Sequence, residues 1–222
     1  MSRRRLSIRT LVVLGALMLT AAAPAAFPER PANRAQALAA LAHADAATRA
    51  EAIVWLANFG GMDDAALLHE RLHDESPYVR GFAEQGLWLL WSRSGDEGVD
   101  RLMARGVEDM QAGRYVESIA TFSSAIRARP QFAEAWNKRA TVLYLAGRYR
   151  ESIADCDEVL KRNPKHFGAL SGLGQIYVQL GELERALEWY RRALAVNPNL
   201  IGVELSILQI EEQLKAKRRR ET

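Results

Sequence analysis

Only one cysteine occurs in the chain, Cys156, so no internal disulfide can form and the fold must stand on packing alone. A lone thiol of this kind is expected to serve as a small buried hydrophobe. The sequence also lacks a Gly-rich phosphate loop, a G-x-S-x-G elbow and any Cys/His cluster. Those absences remove the usual signatures of nucleotide binding, serine hydrolysis and structural zinc, and no cofactor is expected. A basic body is missing too. The whole chain has 30 basic and 27 acidic residues, but residues 26–214 carry only 21 basic against 26 acidic. Phosphate neutralisation needs a basic surface, so nucleic acid is excluded as a partner. What remains, 49% hydrophobic and 26% charged, is the composition of a folded globular or repeat protein.

The first 25 positions contain no acid at all. Arg3, Arg4, Arg5 and Arg9 precede an uncharged run from Thr10 to Phe27, rich in Leu and Val early and in Ala late. A charged start, an apolar middle and a small-residue end make the layout of a secretory signal peptide, with Ala23-Pro24-Ala25 as the cleavage site. Residues 1–25 are therefore expected to be removed, leaving Ala26 first in a mature, periplasmic chain that does not span a membrane. The alternative is an uncleaved inner-membrane anchor, although an 18-residue stretch interrupted by Pro24 is short for one. No cysteine follows the apolar run, which excludes a lipoprotein anchor. The Ala- and Arg-heavy composition looks bacterial.

Self-comparison organises the rest. Gly113, Gly147 and Gly181 are spaced by 34 residues, and so are Pro130, Pro164 and Pro198. Tyr115 and Tyr149 match in the same register, as do Phe122, Cys156 and Tyr190, and Ala125, Val159 and Ala193. The third copy shows the fullest pattern, with Leu170, Leu173, Gly174, Tyr177, Ala186, Tyr190 and Pro198, and the first the least, with Asp109 where Tyr is usual. These residues closely resemble the tetratricopeptide repeat over residues 99–200, in copies 99–132, 133–166 and 167–200. The resemblance implies an all-α, right-handed α-solenoid of helix pairs. The glycines should occupy tight left-handed turns, Gly106, Ala140 and Gly174 should let the paired helix approach, and each Pro should end a second helix. Residues 201–222 read as an amphipathic capping helix built on Ile201, Val203, Leu205, Ile207, Leu208, Ile210 and Leu214, followed by a basic tail.

Upstream, over residues 34–92, a second period appears. Leu41, Arg49, Ala52 and Leu56 recur 31 residues later as Leu72, Arg80, Ala83 and Leu87. Asp74 with Arg80, Ala83 and Leu87 resembles a short HEAT-like repeat. Two copies are few for an independent stack, so these helices are expected to dock on the later repeats, with Trp88 and Trp91 supplying apolar surface.

Two patterns carry possible chemistry. His69-Glu70-Arg71-Leu72-His73 matches H-E-x-x-H, which on a helix aligns two imidazoles for zinc beside a general base. A charged Arg71 and Asp74 and the lack of a clear third ligand weigh against a metalloprotease, and solvent-facing histidines are the expectation. His166, beside Pro164, reads as a surface or helix-start residue. The other pattern is the groove that the tetratricopeptide resemblance implies on the first helix of each pair. It comprises Met103, Val107 and Met110, then Glu134, Asn137, Thr141 and Tyr144, then Ser171, Gln175 and Val178. The family's clamp for acidic chaperone tails is not expected, because Met103, Val107, Gly168 and Gly172 stand at its polar and basic places. The reading is a non-catalytic scaffold that binds another protein or peptide, apolar or mixed in character, with an envelope-assembly factor as the alternative. The protein's own N-terminal helices are the competing occupant of that groove.

Overall fold

The computed structural model describes residues 30–221, so the expected signal peptide lies outside the described residues. Eleven α-helices and no strand occur among them. In order they are α1 (Arg34–Ala40), α2 (Ala46–Phe59), α3 (Ala65–Arg71), α4 (Pro77–Ser92), α5 (Glu97–Gln111), α6 (Tyr115–Ala128), α7 (Ala133–Leu145), α8 (Tyr149–Arg162), α9 (Phe167–Gln179), α10 (Leu183–Val196) and α11 (Ile201–Glu221). A single 3-10 turn, Met62–Asp64, precedes α3.

From α5 onward the helices pack as successive antiparallel pairs, α5 with α6, α7 with α8 and α9 with α10, and α11 closes against α10. Each pair is joined by one tight turn. Gly113, Gly147 and Gly181 sit there at φ +74°, +72° and +74°, a conformation a Cβ resists. The turn also satisfies orphan carbonyls: Arg114, Arg148 and Glu182 donate their N–H back to Asp109, Leu143 and Tyr177. Close approach then follows from missing side chains. A Cβ on Gly106 would overlap the Phe122 ring, and one on Gly174 would overlap Tyr190. Ser118 and Ser152 reach across the same interfaces to donate 2.7 Å hydrogen bonds to the Gly106 and Ala140 carbonyls. In the first pair, Asp109 is buried where Tyr177 stands in the third, and Arg114 donates twice to one of its oxygens, at 2.9 and 2.7 Å.

The four N-terminal helices form a layer of their own around Ile53, Leu56, Leu68, Leu72 and Leu87. Its 31-residue period has a structural basis. Arg49 donates to the backbone carbonyls of His43 and Ala44, and Arg80 donates likewise to Asp74 and Glu75. The two differ in their acceptor side chain. Buried Arg49 grips Asp74 through two bonds of 2.9 and 2.7 Å, whereas Arg80 reaches Asn199, beyond α10, at 2.7 Å. Asn199 also donates to the Leu72 carbonyl, and Asn197 donates to Glu84. The layer thus seats itself on the end of the third helix pair.

Aromatic packing completes this seam. Trp91 stacks on His166 with centroids 4.4 Å apart, and Trp88 meets His166 and Phe167 edge-on at 5.5 and 5.2 Å. Gly168 lies directly beneath the Trp88 ring, which a Cβ there would overlap. His166 starts α9 as the helix-start reading expected, but it is fully buried, not at the surface. Its Nδ1 accepts the Ala169 N–H at 3.1 Å, which places the ring proton on Nε2, donated to Glu134 at 3.1 Å. Burial works to raise the Glu134 carboxyl, but the His166 hydrogen bond and the Lys138 ammonium outweigh it and hold it below its ordinary range.

Two outcomes are expected from this packing. Gly174→Ala should cost roughly 1–3 kcal/mol in chemical unfolding through its clash with Tyr190, whereas Gly202→Ala, whose Cβ meets nothing within 4 Å, should be neutral or stabilising. His69 is the second case. Its buried imidazole is held down to about 4 by burial and then by Lys165 and His166. The unfolded chain therefore takes up a proton there first as pH falls, so stability present above about pH 6.5 is lost progressively down to about pH 4, on the order of 3 kcal/mol. Melting measured from pH 7 to 4.5 should flatten in His69→Leu; an unchanged slope would remove His69 as its cause.

Candidate functional site

Between α7 and α9, reaching down to α8, lies a small, partly open hollow. Thr141, Tyr144 and Gln175 line its outer part, and its floor is made of small residues, Ala140, Gly168 and Gly172, with buried Asn137, Ser152, Cys156 and Ile176 beneath. The floor is deep because α9 brings two glycines to this face. A Cβ on Gly172 would meet the Cys156 sulfur at 4.0 Å, an ordinary van der Waals contact that leaves room for a side chain. Burial pushes the Cys156 thiol up to about 12, which leaves it a neutral floor group. None of the lining residues is charged.

Four of the ten residues assigned to the groove, Asn137, Thr141, Tyr144 and Gln175, meet at this hollow. The remaining six do not line it. Met103 is buried, and Val107 and Met110 are half-buried, in the cluster around Phe122 and Phe132. Glu134 is buried under the seam, bound by His166, Lys138 and the Asn137 amide, and does not line this hollow. Ser171 donates to the Gly168 carbonyl, and Val178 packs among the side chains around Tyr177 and Tyr190. The N-terminal layer covers one end of this face through Trp88 at Gly168 and leaves the hollow itself open. Gly168 and Gly172, read from the sequence only as the loss of a basic clamp, also line the hollow. Their signal is the pair of glycines, four apart, at the start of a helix without a single charge from Phe167 to Gln179.

The H-E-x-x-H segment is arranged otherwise. α3 ends at Arg71, so His73 lies past the helix, with its N–H donated to Glu70. His73 is exposed, as expected, but His69 is buried with its ring 5.8 Å from Trp91, which corrects the expectation of two solvent-facing imidazoles. Among the described residues no group of three or more His, Cys, Asp or Glu is placed to hold a metal ion. No helix among them is long and apolar enough to cross a membrane.

Comparison with known proteins agrees with this geometry. A family profile described as tetratricopeptide repeat matches residues 103–166 and 146–200. A TPR repeat-containing protein of Rhizobium etli is 32% identical over 130 residues, a stretch covering 59% of this chain and 64% of that relative's length. Among solved structures, the Sgt2 TPR domain from Aspergillus fumigatus superposes with a TM-score of 0.53 at 18% identity, covering 56% of this chain and 83% of its own. The first TPR of Spaghetti, solved with an HSP90 peptide bound, superposes with a TM-score of 0.51 at 23% identity, covering 53% of this chain and 93% of its own. The glycine turns, the small-on-large contacts and these matches agree: residues 103–200 are similar to tetratricopeptide repeats in sequence and in fold.

Proposed function

We propose that this chain is an exported, non-catalytic scaffold that holds a peptide segment of another protein in the hollow between α7 and α9. The observation that carries the reading is the hollow itself, a small-residue floor beneath an uncharged rim. A charged ligand entering it would lose hydration without gaining a counter-charge, so an uncharged, extended segment with an aliphatic side chain fits best. Gln175 and Tyr144 supply amide and phenol groups at the hollow for such a segment's backbone, and Tyr144 a rigid wall. The peptide seen on the first TPR of Spaghetti supports the mode of binding. The absence of basic side chains from the hollow argues for a different, non-acidic ligand. The basic start and apolar run before residue 27 support export to the periplasm.

Tyr144→Ala is expected to weaken partner capture from an envelope extract by about 1–4 kcal/mol, with helicity and melting unchanged. Gly172→Leu, which fills the floor, should do the same. Normal capture by both variants would refute the groove. Export is checked separately by sequencing the N-terminus of the chain recovered from a periplasmic extract. A start near Ala26 is expected, and Met1 on a membrane-bound chain would replace cleavage by an anchor.

A further inference from the structure

α11 was expected to cover the third helix pair with one apolar face and turn a polar one outward. Only half of that holds. Val203, Ile207, Ile210 and Leu214 pack against the cluster of Tyr177, Leu187 and Tyr190, and Arg191 of α10 holds Glu211 at 2.8 Å. Ile201, Leu205 and Leu208, however, point away from the array and are 70%, 57% and 54% exposed. A helix apolar on two opposite sides belongs between two neighbours, and a terminal cap needs a polar outer face.

The spacing and charge of that outer face say what kind of neighbour fits. Ile201, Leu205 and Leu208 continue through Glu212, Lys215 and Arg219 at intervals of four, three, four, three and four residues, the seam spacing of a coiled coil. Charge along the helix is segregated. Ile201 to Gln213 holds Glu204, Glu211 and Glu212 with no base, and Leu214 to Arg220 holds five bases with no acid. Two such helices repel when parallel and in register, and attract when antiparallel. Antiparallel is also how the two helices of each pair from α5 to α10 already lie, with α11 packed on α10.

We propose that the exposed face of α11 is covered by α11 of a second copy of this chain, antiparallel about a two-fold axis. The helical stack thereby runs on from one chain into the other. At full overlap Leu205 lies on the aliphatic stem of the other copy's Lys215 and Leu208 on that of its Glu212, while the acidic half of each helix faces the basic half of the other. A lipid surface is the rival cover for an apolar stripe with a basic end. Glu204 and Glu212, both exposed along that stripe, weigh against it.

Sedimentation velocity on the full chain over a wide concentration range tests this. A concentration-dependent dimer is expected, weakened about tenfold or more by Leu205→Glu with Leu208→Glu. These residues are more than half exposed, so the doubly substituted chain should keep its helicity and melting. Because both chains share the N-terminal segment, their difference reports on α11 alone. Glu204→Lys with Glu212→Lys, and separately Lys215→Glu with Lys217→Glu, should each weaken self-association, and mixing the two chains should restore a dimer. A chain that is monomeric throughout, or one that dimerises equally well without Leu205 and Leu208, overturns the proposal. So does rapid disulfide linkage of Ile201→Cys chains through residue 201, which only a parallel pair allows; buried Cys156 does not compete. Flotation with phosphatidylglycerol vesicles that depends on Leu205 and Leu208 would overturn it in favour of lipid.

Discussion

The architecture depends on places where a side chain is missing so that a large ring can come close. Gly106 beneath Phe122, Gly174 beneath Tyr190 and Gly168 beneath Trp88 are the same device used three times. The first two set the distance within a helix pair. The third sets the distance between the array and the N-terminal layer. An interior packed at crystal-like density transmits such a constraint, because a ring displaced by one methyl group must displace its own neighbours. The hollow between α7 and α9 is the same economy left unfilled: Gly172 lies one turn beyond Gly168, and no ring among the described residues descends onto it.

Charge is handled by internal pairing. Arg49 is sheathed by Asp74 and two carbonyls, and Glu134 is enclosed by His166, Lys138 and the Asn137 amide. These two buried charges have their partners in hand, which is what keeps their desolvation from being destabilising. One consequence is that the concave face has its acidic residue spent on structure, and what it presents to solvent at the hollow is amide, hydroxyl and phenol.

Much of this was legible in the residues themselves. The 34-residue recurrence of Gly113, Gly147 and Gly181 placed the turns, because a left-handed backbone leaves a compositional mark. The 31-residue recurrence of Arg49 and Arg80 marked two arginines with the same backbone bonds. The seam was less legible. Nothing local to His166 distinguishes a surface turn from a buried cap, since its burial is decided by Trp91, 75 positions earlier in the chain. Glu134 was assigned to an open groove for the same reason: its helical face is right, but a helix from elsewhere in the chain covers it. Alternation along α11 also misled, because apolar residues on both of its sides read as one broad amphipathic face until packing separates them.

The bonds that seat the N-terminal layer join residues far apart in the chain. Arg80 to Asn199 spans 119 positions, Asn197 to Glu84 spans 113, and Asn199 to Leu72 spans 127. A chain made from its N-terminus forms the helices carrying Trp88 and Trp91 early and their receptor later. Until His166 and Phe167 have emerged, those two indoles have no surface to cover them, and loop-closure entropy must be met before the contact rewards it. This aromatic surface thus stays exposed through much of synthesis, and closing the seam removes a sticky patch from the nascent chain.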